Sequence, residues 1–413
     1  MVLRLALILI LLAGIAWNMR TAIADQLASG NQPAALRLAM RLDPANATYP
    51  AHLAWELQVA DPTAAEFLFR RALRLNPYDS SSWINLGLLE EVQGDKVGAE
   101  DNLLHAARVD LTWMPAWSLA NFYFRCQRWD AFWSWAQKAA QMASDDITPL
   151  LRLAWYLAPN ETEIQDRLRM WRPEMQRQFL WFLMVQGDPA AIAGWGNHAL
   201  TTGAMLPGED LMAASEWLIE HKRPDLALPL WNGLAARHQI PFPPLNPGSG
   251  DAVTNGNFVR QPLSRGFDWR MTHPDGVSNS SDTDPPGLGL EFSGRESDSF
   301  LLLSEIVPVQ PEEPYTLSIE STSSDVVPGS GLELAAADAA SGLILARTPG
   351  FAAGSQPSEV CFTTPQGVRF LTLMVGYQQQ PGTVRIEGHL TIRKVSLVLG
   401  TTACALLSAP PRN

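Results

Sequence analysis

The sequence predicts a multidomain protein: an all-α helical solenoid followed by an all-β jelly-roll sandwich, with an N-terminal hydrophobic export or anchor segment. Three observations support this fold class. A self-similarity of 34 residues runs through the first half of the chain, a proline-rich stretch ends it near residue 240, and strand-like runs separated by turn residues fill the second half. With 413 residues, of which 46% are hydrophobic, the chain can form two or three domains with their own cores.

These changes in composition set the predicted domain boundaries. The segments are a signal peptide or membrane anchor, a helical-repeat solenoid, a proline-rich linker, a β-sandwich and a tail, at residues 1–24, 25–240, 241–252, 253–400 and 401–413. The linker is the sharpest boundary, because prolines at this density cannot continue a helix and instead give a linker or an extended strap. Of the 15 tryptophans only Trp269 follows it, so a different fold begins there.

An apolar run at residues 5–17 has Arg4 before it and Arg20 after it. Its length suits the core of a signal peptide, and the small residues at 22–24 offer a cleavage site. If the segment is extended to residue 23, it is also long enough to span a bilayer, with the Arg20 side chain reaching the interface. One arginine on each side leaves the orientation undecided. Both alternatives make the protein membrane-anchored or exported, with a periplasmic or otherwise extracytoplasmic body.

Bulky and small side chains recur at the 34-residue interval. Trp83 and Trp117 have this spacing, and so do Ala65 and Ala99. Gly87 and Ala99 are small at the point where two antiparallel helices of one hairpin would cross, so the two backbones can approach closely. The interval therefore predicts stacked helical hairpins.

The motif W-x2-L-G at residues 83–87, followed by Ala99, Leu103 and Ala106, resembles the tetratricopeptide repeat. The consensus of that repeat is W-x2-L-G-x2-Y, then A-x3-F-x2-A, then P. The resemblance is clearest over residues 46–147. It implies a right-handed solenoid whose concave surface is lined by the first helix of each hairpin.

Mapped onto this resemblance, the concave surface mixes apolar and charged side chains, which suits a protein partner bound as an extended peptide or a helix. The predicted groove positions are Ile84, Leu88, Glu91, Ser118, Phe122 and Arg125. The alternative is that one of the chain's own segments, such as the proline-rich strap, closes the groove. The tryptophans at residues 113–135 suggest a ligand site, but packing between hairpins is the preferred interpretation, because large aromatic side chains dominate cores.

Eight to ten strands are predicted after the linker. Seven of them are located, at residues 288–292, 300–309, 315–320, 343–347, 360–364, 368–377 and 384–399, with a hairpin turn at 340–342. The motifs N-G-N-F at 255–258 and G-F-D-W-R at 266–270 resemble the start of jelly-roll carbohydrate-binding modules of the galactose-binding-like group. Residues 388–397 resemble the last strand of that group. The candidate sugar contacts are Trp269, Arg270, His273, Tyr315 and Tyr377, although a structural role for Trp269 on the inner face is preferred.

No cofactor is predicted. The galactose-binding-like group often holds a structural calcium with acidic residues near the end of the domain, and Arg393 and Lys394 at that place argue against the ion here. The run N-S-S-D-T-D at 279–284 offers oxygen ligands for calcium, but a solvated loop is the preferred interpretation. Cys361 and Cys404 share the C-terminal region and are predicted to pair if the protein is exported.

Catalytic motifs are absent from the sequence, which contains no H-E-x2-H, G-x-S-x-G or P-loop pattern. A net charge of −12 without a basic run excludes nucleic acid as the expected partner. The sequence therefore predicts a non-enzymatic bacterial cell-envelope scaffold, by analogy a factor of exopolysaccharide or envelope assembly, whose solenoid binds protein and whose jelly roll docks on carbohydrate or protein.

Two alternatives remain at this point. The protein is a polysaccharide-active hydrolase or lyase if two carboxylates lie about 5–10 Å apart in a cleft of the sandwich. The jelly roll is a rigid cap if its role is to cover an apolar end of the solenoid.

Overall fold

A computed structural model describes residues 2–400 except 145, 171, 203–205, 249, 281–285, 325, 327–329 and 349–356. In this part of the chain fourteen helices precede ten strands. The predicted fold class, helical hairpins followed by a β-sandwich and preceded by an apolar helix, is confirmed. The chain divides into two compact units, Met1–Gln178 and Phe179–Asn413.

The first unit consists of stacked helical hairpins. Its helices are α1 (Val2–Ala28), α2 (Pro33–Leu42), α3 (Thr48–Leu57), α4 (Pro62–Leu75), α5 (Ser80–Gln93), α6 (Lys96–Val109), α7 (Trp113–Arg125), α8 (Trp129–Met142), α9 (Thr148–Leu157), α10 (Glu161–Leu168) and the start of α11 (Pro173–Gln186). The pairs α1/α2, α3/α4, α5/α6 and α7/α8 each form a hairpin. Successive hairpins meet through α2 and α3, α4 and α5, and α6 and α7.

The hairpin of α5 and α6 shows how the repeat sequence dictates this geometry. Gly94 ends α5 in the left-handed region, with φ of 95°, and its N–H bonds the last carbonyls of the helix. Asp95 caps α6 by accepting a hydrogen bond from the Gly98 N–H at 2.9 Å. A Cβ on Gly87 would lie 3.0 Å from the Ala99 carbonyl oxygen, so any larger residue would have to displace the facing helix at this close crossing.

Helix α1 is continuous through the predicted boundary at residue 24. Residues 4–28 are long and apolar enough to cross a membrane. The last turns of the same helix belong to the first hairpin, because Ala24 and Ala28 are buried in one core with α2 and α3. Tyr49 donates a hydrogen bond to Asp25 Oδ1 at 2.6 Å. Burial and this carboxylate raise the pKa of Tyr49 to about 12.

The second unit contains the remainder of α11, three further helices and the sandwich. The helices are α12 (Pro189–Thr202), α13 (Gly208–Glu220) and α14 (Pro224–Ala236). The strands are β1 (Arg270–Met271), β2 (Val277–Ser280), β3 (Leu288–Ser293), β4 (Ser299–Pro308), β5 (Pro314–Ser324), β6 (Leu332–Asp338), β7 (Ile344–Arg347), β8 (Ser358–Thr363), β9 (Phe370–Gln378) and β10 (Glu387–Leu399).

The strands form two five-stranded antiparallel sheets with the orders β1-β4-β9-β6-β7 and β2-β3-β10-β5-β8. Their inner faces enclose one apolar core, in which Trp269, Leu303, Leu317, Leu373 and Leu397 are fully buried. All seven predicted strands are present, with ends shifted by a few residues, and the turn at 340–342 joins β6 to β7. The predicted range of eight to ten strands includes the ten that are described, but the positions of β1, β2 and β6 were not predicted.

The proline-rich stretch is an extended strap fixed along its length. The Asn232 side chain on α14 accepts a hydrogen bond from the Leu245 N–H at 2.7 Å and donates one to the Leu245 carbonyl at 3.0 Å. Tyr315 on β5 donates a hydrogen bond to the Pro247 carbonyl at 3.0 Å. The middle of the strap is therefore bound to a helix at Leu245 and to the sandwich at Pro247.

The hairpin of α13 and α14 also packs directly on the sandwich. The Glu216 carboxylate accepts hydrogen bonds from the Gly266 N–H at 2.5 Å and from Arg270 Nη2 at 2.6 Å. Gly266 has φ of +66°, and a Cβ there would lie 2.7 Å from Cε3 of the fully buried Trp231. The Phe267 ring contacts the same indole edge to face. This hairpin and the sandwich form one packed body.

Candidate functional site

A groove of about 340 Å³ lies between α5 and α7, the first helices of two successive hairpins. It is called the α5–α7 groove below. Its walls combine four apolar side chains with four uncharged polar side chains and one arginine. The lining residues are Ser81, Ile84, Asn85, Leu88, Met114, Trp117, Ser118, Asn121 and Arg125.

Helical periodicity places these side chains in two facing rows. On α5, Ile84 and Leu88 are four residues apart, and on α7, Trp117, Asn121 and Arg125 repeat at the same interval. Side chains at this spacing lie one above the other on a single helix face. The two rows run along neighbouring helices, so the groove is elongated in the direction of the helix axes.

Four of the six predicted groove residues, Ile84, Leu88, Ser118 and Arg125, line the α5–α7 groove. Glu91 does not line it but binds Arg125. The prediction that Phe122 lines the groove is wrong, because its side chain is only 1% exposed and packs inside the hairpin. It follows Asn121 by one residue, and a step of about 100° around the helix turns it from the groove towards the core.

Asn85 and Asn121 are lining residues that the sequence analysis missed. Each amide group faces the groove without a hydrogen bond to another residue within the described part of the chain. The sequence spacing of both residues from the predicted groove positions could have identified them. Asn85 stands three residues before Leu88 and Asn121 four residues before Arg125, so both belong to the helix faces already predicted to line the groove.

The charge at one end of the groove is neutralised by an ion pair. Arg125 donates two hydrogen bonds to the Glu91 carboxylate, from Nε at 2.7 Å and from Nη2 at 2.6 Å. This hydrogen bonding raises the pKa of the Arg125 guanidinium further above its already high value. The groove therefore presents amides and apolar surface, not a net charge, to a ligand.

The predicted sugar contacts do not form a binding platform. A sugar stacks on an exposed ring, yet Trp269, Tyr315 and Tyr377 are at most 3% exposed and belong to the core of the sandwich. Arg270 is engaged with Glu216, and only His273 is exposed. The predictions for Tyr315 and Tyr377 are wrong, because strand periodicity turns these two rings to the inner faces of the sheets. Trp269 has the inner-face structural role that was preferred for it.

A second cavity, of about 650 Å³, lies between the strap and the sandwich. Asp251 is its only lining carboxylate among the described residues, and Lys394 lines the same cavity. Asp251 Oδ1 accepts hydrogen bonds from the N–H groups of Val253 and Leu397 at 3.1 and 3.0 Å. The pair of carboxylates that glycoside hydrolysis needs is not found on these walls.

Metal ligands are not clustered in the described part of the chain, where no group of three or more His, Cys, Asp or Glu side chains converges. Of the predicted calcium run, residues 281–284 lie outside the described residues. Cys126 is a free, half-buried thiol, and Cys361 is disulfide-bonded. Cys404 lies outside the described residues, so its pairing with Cys361 stays a prediction.

Three carboxyl groups, those of Asp268, Glu296 and Glu305, are completely buried in the sandwich domain. Burial raises the pKa of Glu305 well above its usual range and the pKa of Asp268 to about 6. Glu305 Oε1 accepts a hydrogen bond from the Thr254 N–H at 2.7 Å, while Oε2 has no partner among the described residues. Neither Asp268 nor Glu305 lines a cavity described above.

We expect the free energy of unfolding to fall as pH rises from about 4.5 through neutrality. A raised pKa means that folded Glu305 holds its proton where the unfolded chain has lost it, so stability is greatest below the unfolded pKa. Each such group contributes a slope of at most about 1.4 kcal/mol per pH unit. Urea unfolding at several pH values should show a smaller slope for Glu305→Gln, and parallel profiles for the two proteins would contradict this.

Fold and groove together define a helical-repeat protein with an appended jelly-roll sandwich. No family model matches the chain, and no curated protein sequence matches it. Solved structures similar to its parts include YrrB, a tetratricopeptide-repeat protein with an unusual peptide-binding site. It has 15% identity and a TM-score of 0.26, over 50% of this chain and 93% of YrrB.

Two further solved structures represent the two kinds of fold. PilW, a type IV pilus biogenesis factor, has 13% identity and a TM-score of 0.27, over 54% of this chain and 94% of its own. The carbohydrate-binding module TmCBM61, solved with β-1,4-galactotriose, has 15% identity and a TM-score of 0.27, over 37% of this chain and all of its own. The similar structures therefore include both tetratricopeptide-repeat proteins and carbohydrate-binding modules. Similarity at these low identities concerns the fold alone.

Proposed function

We propose that this protein is a non-enzymatic binding scaffold of the bacterial cell envelope whose α5–α7 groove holds an extended segment of a partner protein. The observation that carries the proposal is the pair of side-chain amides of Asn85 and Asn121. Neither amide forms a hydrogen bond with another described residue, and the two lie on either side of an apolar floor. Ile84, Leu88 and Trp117 supply that floor.

An extended main chain matches this pattern of groups. Each asparagine amide both donates and accepts, so it can pair with the N–H and C=O of one peptide unit. Packed helices lie about 8–10 Å apart, and an extended chain covers that distance in about three residues. One peptide can therefore reach both amides while an apolar side chain between them enters the floor of the groove.

Location outside the cytoplasm is the second part of the proposal. Helix α1 has the length and composition of a membrane span. The disulfide at Cys361 suits an oxidising compartment, where such bonds persist. The sandwich is then the second docking element of the scaffold, for carbohydrate or protein, at surfaces other than the buried rings. Asp251 is the one carboxylate among the described residues that line its cavity, and this supports docking over hydrolysis.

The groove is tested with Asn85→Ala/Asn121→Ala. Peptides selected by the full chain in neutral detergent, from a displayed library of envelope-protein segments, are measured by fluorescence anisotropy. We expect the double variant to bind them about 10–100 times more weakly, because each lost hydrogen bond costs about 0.5–1.5 kcal/mol.

The matched control is Gln137→Ala/Gln141→Ala, which removes two amides from α8, outside the groove. This variant should bind the selected peptides as the unmodified protein does. Selection of no peptide, or equal losses in the two double variants, would contradict the proposal.

A further inference from the structure

A third cavity, of about 680 Å³, lies on the first unit away from the α5–α7 groove, between α2, α3 and α4. It is called the basic groove below. Its lining residues are Arg37, Met40, Arg41, Leu53, Leu57, Asp61, Thr63, Ala64, Phe67, Leu68 and Arg71.

Three guanidinium groups surround the basic groove. Arg37, Arg41 and Arg71 form no ion pair with any described carboxylate. Asp61 is the only acidic lining residue, and its Oδ1 is occupied in capping α4 through the Ala64 N–H at 3.0 Å. A local excess of positive charge on a chain of net charge −12 indicates an anionic ligand.

The floor of the basic groove is apolar. Met40, Leu53 and Leu68 are buried beneath it, and the Phe67 ring stands at its edge with 62% of its surface exposed. A large exposed aromatic side chain beside unpaired arginines suits a ligand with a charged head and an apolar body.

The position of the groove relative to α1 identifies the source of such a ligand. From Arg20, the first charge after the apolar run, α1 continues about 12 Å to Ala28, and antiparallel α2 returns about 12 Å from Pro33 to Arg41. Arg41 therefore lies near the level of Arg20, where a membrane-spanning α1 would leave the hydrocarbon.

We propose that the basic groove binds an anionic phospholipid of the bilayer that α1 crosses. The phosphate pairs with Arg37, Arg41 and Arg71, and one acyl chain leaves the bilayer and lies against Phe67 and Leu57, which are farther from the membrane than Arg41. The inference rests on the proposed membrane location of α1 and is independent of the α5–α7 groove. Bound lipid would fix the first hairpins against the membrane surface.

Stabilisation of the helix dipole does not by itself explain the positions of the three arginines in α2 and α4. A cation in the last turn of a helix favours the dipole, and Arg41 occupies such a position in α2. Arg37 lies a turn earlier, and in α4 the last-turn cation is Arg74, not Arg71. The helix dipole therefore accounts for Arg41 but not for the placing of Arg37 and Arg71 beside it at one groove.

The test uses the full chain in neutral detergent with two soluble short-chain lipids, dihexanoyl phosphatidylglycerol and dihexanoyl phosphatidylcholine, measured by calorimetry and native mass spectrometry. We expect the anionic lipid to bind at least tenfold more tightly than the neutral one. Arg37→Gln/Arg41→Gln/Arg71→Gln should lose at least tenfold in affinity. The control Lys96→Gln/Lys138→Gln/Arg152→Gln removes three charges from elsewhere on the first unit and should lose none.

Two further arms separate a lipid from other anions. Phe67→Ser keeps every charge and should weaken the anionic lipid severalfold, because it removes apolar surface that is already exposed and costs little stability. Inorganic phosphate at millimolar concentration should compete only weakly. Equal binding of the two lipids, full competition by phosphate, tighter binding of an acidic peptide, or equal losses in both triple variants would overturn the proposal. Because the lipids are soluble and peptide binding is read separately, failure here leaves the α5–α7 groove untouched.

Discussion

Replacing Gly266 with alanine is expected to destabilise the second unit by about 2–5 kcal/mol. The residue has φ of +66°, which costs an L-residue about 1–2 kcal/mol. The added methyl group must also displace the ring of Trp231, which is fully buried and held between Phe242 and Phe267. Overpacking of this kind adds about 1–3 kcal/mol.

The matched control for this variant is Gly342→Ala in the turn between β6 and β7. Gly342 has φ of +73°, but a Cβ there meets nothing within 4 Å, so only the backbone penalty applies. Urea unfolding of the full chain, followed by the fluorescence of its tryptophans, measures both variants. Equal losses at the two positions would show that Trp231 adjusts freely and that the hairpin does not pack tightly on the sandwich.

Replacing Gly87 with leucine is expected to destabilise the first unit by about 3 kcal/mol or more. The new side chain would begin 3.0 Å from the Ala99 carbonyl oxygen and 3.0 Å from Leu103 Cγ, and Leu103 is fully buried. A backbone carbonyl cannot rotate away, so α5 and α6 must separate and lose contacts along the hairpin.

Gly30→Leu is the control for this substitution, because Gly30 precedes α2 and a Cβ there meets nothing within 4 Å. We expect a change in thermal midpoint of several degrees for Gly87→Leu and little change for Gly30→Leu. If Gly87→Leu unfolds at the same temperature as the unmodified chain, the helix crossing does not need a small residue at position 87.

The hairpins were predictable because their constraints are local and periodic. Gly87 and Ala99 mark the crossing, and Gly94 and Asp95 mark the turn, all within one repeat. The continuation of α1 into the first hairpin was missed, because the apolar run before Arg20 dominates that stretch. Its role in the hairpin rests on a few small residues, such as Ala24, that only the packing of α2 and α3 reveals.

Strand β6 shows where local sequence misleads. Its sequence, L-E-L-A-A-A-D, consists mainly of good helix formers. It is nevertheless a strand, because it pairs with β9 on one side and with β7 on the other. Alanines 335–337 are buried there, where small side chains fit against the core. Burial and pairing from distant parts of the chain override an intrinsic preference of this size.

The candidate site was predictable only as far as the repeat register extends. That register placed Leu88 and Arg125 on the groove but also included Phe122, since one position separates the groove row from the core row. In the sandwich no such register was available. Tyr315 and Tyr377 were therefore predicted as sugar contacts, although an isolated ring in a strand gives no indication of which face of the sheet it occupies.

The packing of the α13 and α14 hairpin on the sandwich determines where the chain can be cut to prepare the sandwich alone. A fragment that starts at residue 245 would lack α13 and α14, leaving Phe267 uncovered and Arg270 without Glu216. Such a fragment would be prone to aggregate, and its failure to bind a carbohydrate would not show that the intact sandwich fails to bind one. An excised sandwich should start ahead of α12, so that the helices beneath it are expressed in the same polypeptide.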